Sequence, residues 1–292
     1  MKELPIDKAR ARRAFERAAP GYDAAALLQR EIADRLLERL DYVRLEPRRI
    51  LDLGAGTGYA IDALQRRYRK ARVIALDFAH AMLLQARRRG RWWRHPLCLC
   101  GEAEQLPLAD GSVDLIVSNA AFQWCNDLDL AFTECLRVLR PGGLLMFTTF
   151  GPDTLKELRL AWSTVDGYSH VSPFPDMHDV GDALVRAHFA DPVMDMERLT
   201  IIYMQLTELM ADLKGIGAHN ATGQRPRGLT GPRRLAAVQA AYELERQDDG
   251  RLPASYEVVY GHAWAPEQKP VAEGIGVPIS AIGRAGTRGR GA

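Results

Sequence analysis

The stretch Ile50–Ala60, ILDLGAGTGYA, runs from branched apolar residues into three alternating glycines, Gly54, Gly56 and Gly58. A buried strand that breaks this way is making a turn in which the backbone takes positive φ and can come within contact distance of a ligand. Two ligands suit such a turn. One is a dinucleotide whose phosphates approach the backbone, and the other is a nucleoside with no phosphate at that point. A tight strand-to-helix turn with no ligand is the bland alternative.

The spacing separates these readings. A dinucleotide fingerprint needs GxGxxG, whereas this chain has GxGxG followed by Tyr59. Asp52, inside the turn, would repel a pyrophosphate and suits a cationic or amine-bearing ligand. Asp77 ends the next apolar strand, RVIALD, where a carboxylate can accept hydrogen bonds from both hydroxyls of a ribose.

Outward from this turn, short apolar runs alternate with helical patterns. RILDLG, RVIALD, PLCLCG, VDLIVSN and GGLLMFTTF read as strands, separated by IDALQRRY, AHAMLLQARRR and LDLAFTECLRVL as helices. Continuous apolar strands between helices predict a parallel sheet covered on both faces. Residues 152–190 are expected to be mostly helical, 193–204 a strand, 205–214 and 231–246 helices, and SYEVVYGHAWA a last strand. The fold expected is α/β, a doubly wound, mostly parallel seven-stranded sheet of Rossmann-like form. An N-terminal helical pair precedes it: residues 8–18, a Pro20-Gly21 break, and a helix with Leu28, Ile32, Leu36 and Leu40 on one face. The division expected is a helical cap over 1–45, a nucleoside-binding core over 46–151, a helical lid insertion with the end of the sheet over 152–265, and a disordered Gly-rich tail over 266–292.

The chain has 292 residues, 47% hydrophobic and 26% charged, with a formal net charge of +2. That excludes the global field of a dedicated nucleic-acid binder, although Lys8–Arg13 and Arg87–Arg94 are locally basic. Cys98, Cys100, Cys125 and Cys135 form no CxxC pair and are expected to be buried free thiols rather than metal ligands. A charged N-terminus without an apolar leader, and no run of ~20 apolar residues, predict a cytoplasmic protein with no membrane segment.

Together ILDLGAGTGYA, Asp77 and GEAEQLPLADGSVDLIVSNAAFQW (101–124) resemble the motifs of class I S-adenosylmethionine-dependent methyltransferases. The resemblance implies S-adenosylmethionine as cofactor. Asp52, Gly54, Ala55, Gly56 and Gly58 would lie against its methionine and ribose, and Asp77 would hold the ribose hydroxyls. Phe78 and Met82 would pack near the adenine, Glu102 and Ala103 would meet its edge, and Asn119 would lie below the sulfonium. The family usually has Asp where this chain has Glu102.

Beyond the core, AFERAAPGYDAAALLQREIADRLL, SNAAFQWCNDL, FTTFGPDTLKELRLAW, LKGIGAHNATG and RGLT resemble the malonyl-acyl-carrier-protein O-methyltransferases that begin biotin synthesis, from about Arg10 to Trp264. This implies methylation of the free carboxylate of a malonyl thioester, on acyl-carrier protein or on CoA; the sequence leaves the oligomeric state open, with a monomer as the expectation. Such a carboxylate is ionised near neutral pH, so no general base is required and positioning supplies the rate. An Arg fork would orient it: Arg227 is the candidate, with Arg225 and Arg159 behind it and a solvated surface Arg as the competing reading. Tyr22 is expected over the sulfonium or as a staple between the first helices, with Gln123 and Trp124 where the acceptor approaches. His178 and His219 read as packed or solvated. An acidic carrier would be steered by Arg225, Arg227, Arg233 and Arg234 together with Lys8, Arg10, Arg12 and Arg13.

Three rival readings remain, one of them a methyltransferase for another small carboxylic acid. The cover also resembles the mitochondrial complex I assembly factor that hydroxylates a protein arginine, and Arg87–Arg94 with Trp92 and Trp93 could stack nucleic-acid bases.

Overall fold

A computed structural model describes residues 5–90, 93–223, 228 and 230–267. In chain order the helices and strands are α1 (Lys8–Ala18), α2 (Tyr22–Ala25), α3 (Leu27–Arg39), β1 (Arg49–Leu53), α4 (Ile61–Arg67), β2 (Arg72–Asp77), α5 (His80–Ala86), β3 (Leu97–Cys100) and β4 (Val113–Ser118). There follow α6 (Leu128–Val138), β5 (Leu139–Phe150), α7 (Lys156–Ser163), α8 (Met177–Arg186), β6 (Ala190–Tyr203), α9 (Leu206–Gly215), α10 (Pro232–Tyr242) and β7 (Leu252–Trp264).

The strands form one seven-stranded sheet in the order β3-β2-β1-β4-β5-β7-β6. β1 to β5 are parallel, and β7 runs antiparallel between β5 and β6. This is the doubly wound arrangement expected. Strand alternation divides the apolar residues between two cores. Ile50, Val73, Ala75, Leu115 and Val117 pack with α3, α4, α7 and α9, while Leu51, Leu53, Ile74, Ile116 and Leu145 pack with α6 and α8. Burial on both faces explains why these strands read as unbroken apolar runs. The strand order reverses at β1 and β4, where ligands bind in open α/β sheets.

Local chemistry sets the helix starts. Asp7, Asp127 and Asp176 cap α1, α6 and α8 by accepting from backbone N–H groups, Gln205 and Glu208 close a capping box on α9, and Pro232 opens α10.

Several expectations need correction. The N-terminal cap is three helices rather than a pair, because Ala26 leaves helical geometry (φ −85°, ψ 43°) between α2 and α3. Residues 164–176 are irregular rather than helical, with Gly167, Pro173 and Pro175 breaking the run between α7 and α8. β6 and β7 begin earlier than expected, pairing from Ala190–Trp264 to Tyr203–Leu252. The thiols are free, but only Cys135 is buried; Cys98 is half-buried and Cys100 exposed, because β3 is an edge strand. Most of the Gly-rich tail, Lys269 onward among it, lies outside the described residues. Among the described residues no helix is long and apolar enough to cross a membrane.

Candidate functional site

The carboxyl ends of β1, β2 and β4 surround a cavity of about 670 Å³. Its floor is the glycine turn. Gly54 (φ +72°) hugs the opposite loop so closely that a Cβ on it would stand 2.3 Å from the Ala121 Cβ. Gly56 (φ +54°) lines the cavity, and a Cβ on it would meet nothing within 4 Å. The first glycine is thus required by packing and conformation, the second by conformation and by the free space beside it.

Asp77 stands at the end of β2, its carboxylate accepting from Gly56 N–H at 2.9 Å and Ala79 N–H at 2.8 Å. Burial pushes its carboxyl up to about 6, with the charges of Glu102 and Glu16 adding to the rise against those two hydrogen bonds. Phe78, Met82, Gly101, Ala103, Phe122 and Cys125 supply an apolar slot, with Glu102 at its edge and Asn119 at its inner end.

Asp52 is buried behind this wall and does not line the cavity, nor do Ala55 and Gly58. The Asp52 Oδ2 is buried without a hydrogen-bond partner, and burial, with the Asp77 charge behind it, lifts the carboxyl to about 7. A buried acceptor facing a glycine turn, a carboxylate at the end of β2 and an apolar slot fit an amine-bearing nucleoside.

Glu102 is held by Lys8 (3.2 Å), which also pairs with Glu104 at 2.7 Å. Asn119 ties the cap to the sheet: its amide nitrogen donates to Gln29 O at 2.9 Å and its oxygen accepts from Thr148 Oγ1 at 2.8 Å.

The N-terminal cap roofs this cavity. Glu16 accepts from His80 N–H (2.8 Å) and Ala81 N–H (3.2 Å) at the start of α5. Thr57 Oγ1 donates to Asp23 at 2.5 Å, and Arg89 pairs with the other Asp23 oxygen. Asp7 N–H donates to Ala221 O at 2.8 Å. The cap thereby places Phe15 edge-on to Trp124, ring centres 5.1 Å apart, and edge-on to Phe78 at 5.6 Å. Tyr22 lies beside them, its phenol shifted upward by burial and by the charges of Asp77 and Asp23.

A second cavity of about 830 Å³ opens on the far side of this roof. Phe15, Tyr22, Ala120 and Trp124 line both cavities. Phe150, Leu158, Phe174, Leu213, Ile216 and Tyr256 make the second one largely apolar, and Gln29, Gln123, Thr154, His170, His219 and Asn220 bring polar atoms to it. The Gln123 amide donates to Ala120 O at 2.6 Å and holds the turn in which Ala120 takes φ +48°. That strained non-glycine backbone sits in the wall shared by the two cavities.

Among the sequence candidates for the acceptor, Tyr22, Gln123 and Trp124 are brought together here. Arg225 and Arg227 lie outside the described residues. Arg159 donates to the carbonyls of Pro152 (2.8 Å) and Thr154 (3.0 Å) and does not line the cavity. His178 is exposed and pairs with Asp176, whereas His219 is a wall residue of the second cavity. Sequence reasoning missed Phe15, Phe150, His170, Phe174 and Tyr256, which come from four separate segments and meet only in the fold. Arg89 and Arg94 are engaged inside the molecule, on Asp23 and on Ala71 O, whereas Arg87, Arg88 and Trp93 are exposed; Arg91 and Trp92 lie outside the described residues.

Residues 51–147 match the family described as "Methyltransferase domain". A solved putative methyltransferase from Bacillus halodurans C-125 shares the fold, with a TM-score of 0.57 at 17% identity over 79% of this chain and 97% of that one. The malonyl-[acyl-carrier protein] O-methyltransferase of Halorhodospira halophila is 56% identical over 89% of this chain and 88% of its own length. That of Gallionella capsiferriformans is 51% identical over 95% and 97% respectively. With that identity along nearly all of its length, the chain belongs to the malonyl-[acyl-carrier protein] O-methyltransferase family.

Proposed function

We propose that the protein methylates the free carboxylate of a malonyl thioester, with acyl-carrier protein as the carrier, giving the methyl ester that biotin synthesis elongates. The observation that carries this reading is the pair of cavities sharing Phe15, Tyr22, Ala120 and Trp124. A donor pocket at the strand ends that adjoins an apolar acceptor pocket is the geometry a direct transfer needs.

Bound in the first cavity, S-adenosylmethionine supplies a methyl group on a positively charged sulfur, which a carboxylate oxygen displaces with the bonding pair leaving on sulfur. The chain's own residues position and shield. Asp77 offers its remaining lone pairs to the ribose hydroxyls, Gly54 and Gly56 admit the backbone to contact, and Phe78 and Met82 cover the base. Asp52 compensates a cationic amine from beneath the turn. Tyr22 and Trp124 exclude water where the two cavities meet. Near-attack alignment of two bound partners can be worth ~7–11 kcal/mol, and an ionised acceptor needs no base.

The arginine-hydroxylase reading is not favoured, since the curated relatives at 43–56% identity carry the methyltransferase name. Purified protein incubated with methyl-labelled S-adenosylmethionine tests the proposal. Label should enter malonyl-acyl-carrier protein, and malonyl-CoA to an extent that measures how far the pantetheine arm alone suffices. Label in neither, from protein that binds S-adenosylhomocysteine, would refute it.

A further inference from the structure

The second cavity has to receive an anion, yet among the described residues its wall holds no lysine, arginine, aspartate or glutamate. Its titratable side chains are Tyr22, His170, His219 and Tyr256. Among the described residues of this wall only the two histidines can become cations. His219 is held below its ordinary value by burial and by the charges of Arg10, Arg17 and Lys214, so it faces the cavity as a neutral ring.

His170 is placed differently. It sits in the irregular segment between α7 and α8 and stacks on Trp162 of α7, ring centres 3.6 Å apart and planes 5° from parallel. Its Nε2 lies 2.9 and 3.2 Å from the two Asp166 oxygens. Asp166 is also paired with Arg234 of α10 and accepts from Tyr168 N–H, and its carboxyl lies below the usual range although burial opposes that shift. An ionised Asp166 fixes the shared proton on Nε2. That leaves Nδ1 as the nitrogen for a ligand, and in the imidazolium both nitrogens are donors. The groups facing His170 are therefore Asp166 from its own segment, Arg234 from α10, the uncharged Trp162 from α7, and Tyr22, His219 and Tyr256 across the cavity.

We propose that His170, oriented by Asp166 and braced on Trp162, binds the free carboxylate of the malonyl acceptor as an imidazolium. The inference rests on the malonyl reading above and names the residue that sets its selectivity. One carboxylate oxygen is held and the other is left to attack. Once esterified, the acyl end is neutral and loses its ionic partner, so the same residue favours substrate over product. A charge-assisted hydrogen bond of this kind exceeds a neutral one roughly twofold in strength.

The test is steady-state kinetics with malonyl-CoA. His170→Gln should raise KM about ten- to a hundredfold, change kcat far less, and leave affinity for S-adenosylhomocysteine and for the CoA thioester of the methyl ester unaltered. Asp166→Asn keeps the ring and the stack but replaces the carboxylate that orients Nε2, and should also raise KM without altering affinity for S-adenosylhomocysteine. An unchanged KM in His170→Gln, an equal loss of affinity for S-adenosylhomocysteine, or an unchanged KM in Asp166→Asn would overturn the assignment while leaving the methyltransferase reading intact. A wild type inactive on both malonyl thioesters would remove the two together.

Discussion

Asp77 shows how one residue couples fold and ligand. Burial raises its folded carboxyl to about 6, above the ~3.9 of an unfolded chain. The stability its proton contributes is complete below about pH 4 and is lost as pH rises through about 6. Ligand binding runs in the opposite sense, because only the ionised carboxylate accepts from both ribose hydroxyls. Affinity for S-adenosylhomocysteine should therefore fall below about pH 6, by up to tenfold per unit. Asp77→Asn should weaken binding at neutral pH by about tenfold or more and flatten the profile. Calorimetry at several pH values checks this; a variant profile as steep as the wild type's would assign the titration to Asp52 instead. Gly54 carries a conformational requirement: its positive φ and the 2.3 Å approach to Ala121 mean Gly54→Ala must displace that loop.

At the scale of elements, α3 seats the cap in the core through Leu28, Ile32, Leu36 and Leu40, while polar links tie α1 and α2 to the loops beside the first cavity. Asp23 of α2 joins Thr57 of the glycine turn to Arg89 after α5. Asp23→Ala should accelerate S-adenosylhomocysteine release, read by stopped-flow fluorescence, with only about 1 kcal/mol lost in global stability. A drop in stability with no change in release rate would make the link purely structural. The core elements were legible because burial on both faces leaves unbroken apolar runs such as RILDL and RVIALD. The cap and lid were less so. Ala26 has nothing in its side chain to announce a break, and the segment around His170, expected to be helical, is irregular, with Trp162 and Asp166 closing on it. The cofactor candidates could be named because they cluster in short motifs beside two strands. The acceptor wall could not, since Phe150, His170, Phe174 and Tyr256 are joined only by tertiary packing.

At the scale of the whole molecule, some of the cations expected to steer an acidic carrier are already paired, which changes how that carrier would be met. Lys8 is engaged by Glu102 and Glu104, and Arg234 by Asp166, so neither is a free steering charge. Reversing Arg234 would set two carboxylates together in the lid and not simply slow encounter. The cations that act on His219 at the acceptor wall are Arg10, Arg17 and Lys214, and of these Arg17 and Lys214 are exposed. Arg17→Glu with Lys214→Glu should lower kcat/KM for malonyl-acyl-carrier protein about tenfold at low salt and much less for malonyl-CoA. The gap should narrow as salt shortens the Debye length to ~8 Å and below. Equal losses on both substrates would place the pair in the pocket rather than on a docking rim.

β6 closes the sheet at its far edge, with a shift in pairing register between Ala190 and Val193 and Pro192 lying within that interval. Arg35 and Arg39 of α3 pair with Asp195 and Glu197 on the same strand. A 14-residue edge would otherwise offer its row of amides as a template for another chain. A bulge, an imide without a donor and a run of fixed charges deny that template. The antiparallel strand pair that completes the fold therefore also guards the protein against strand-mediated aggregation.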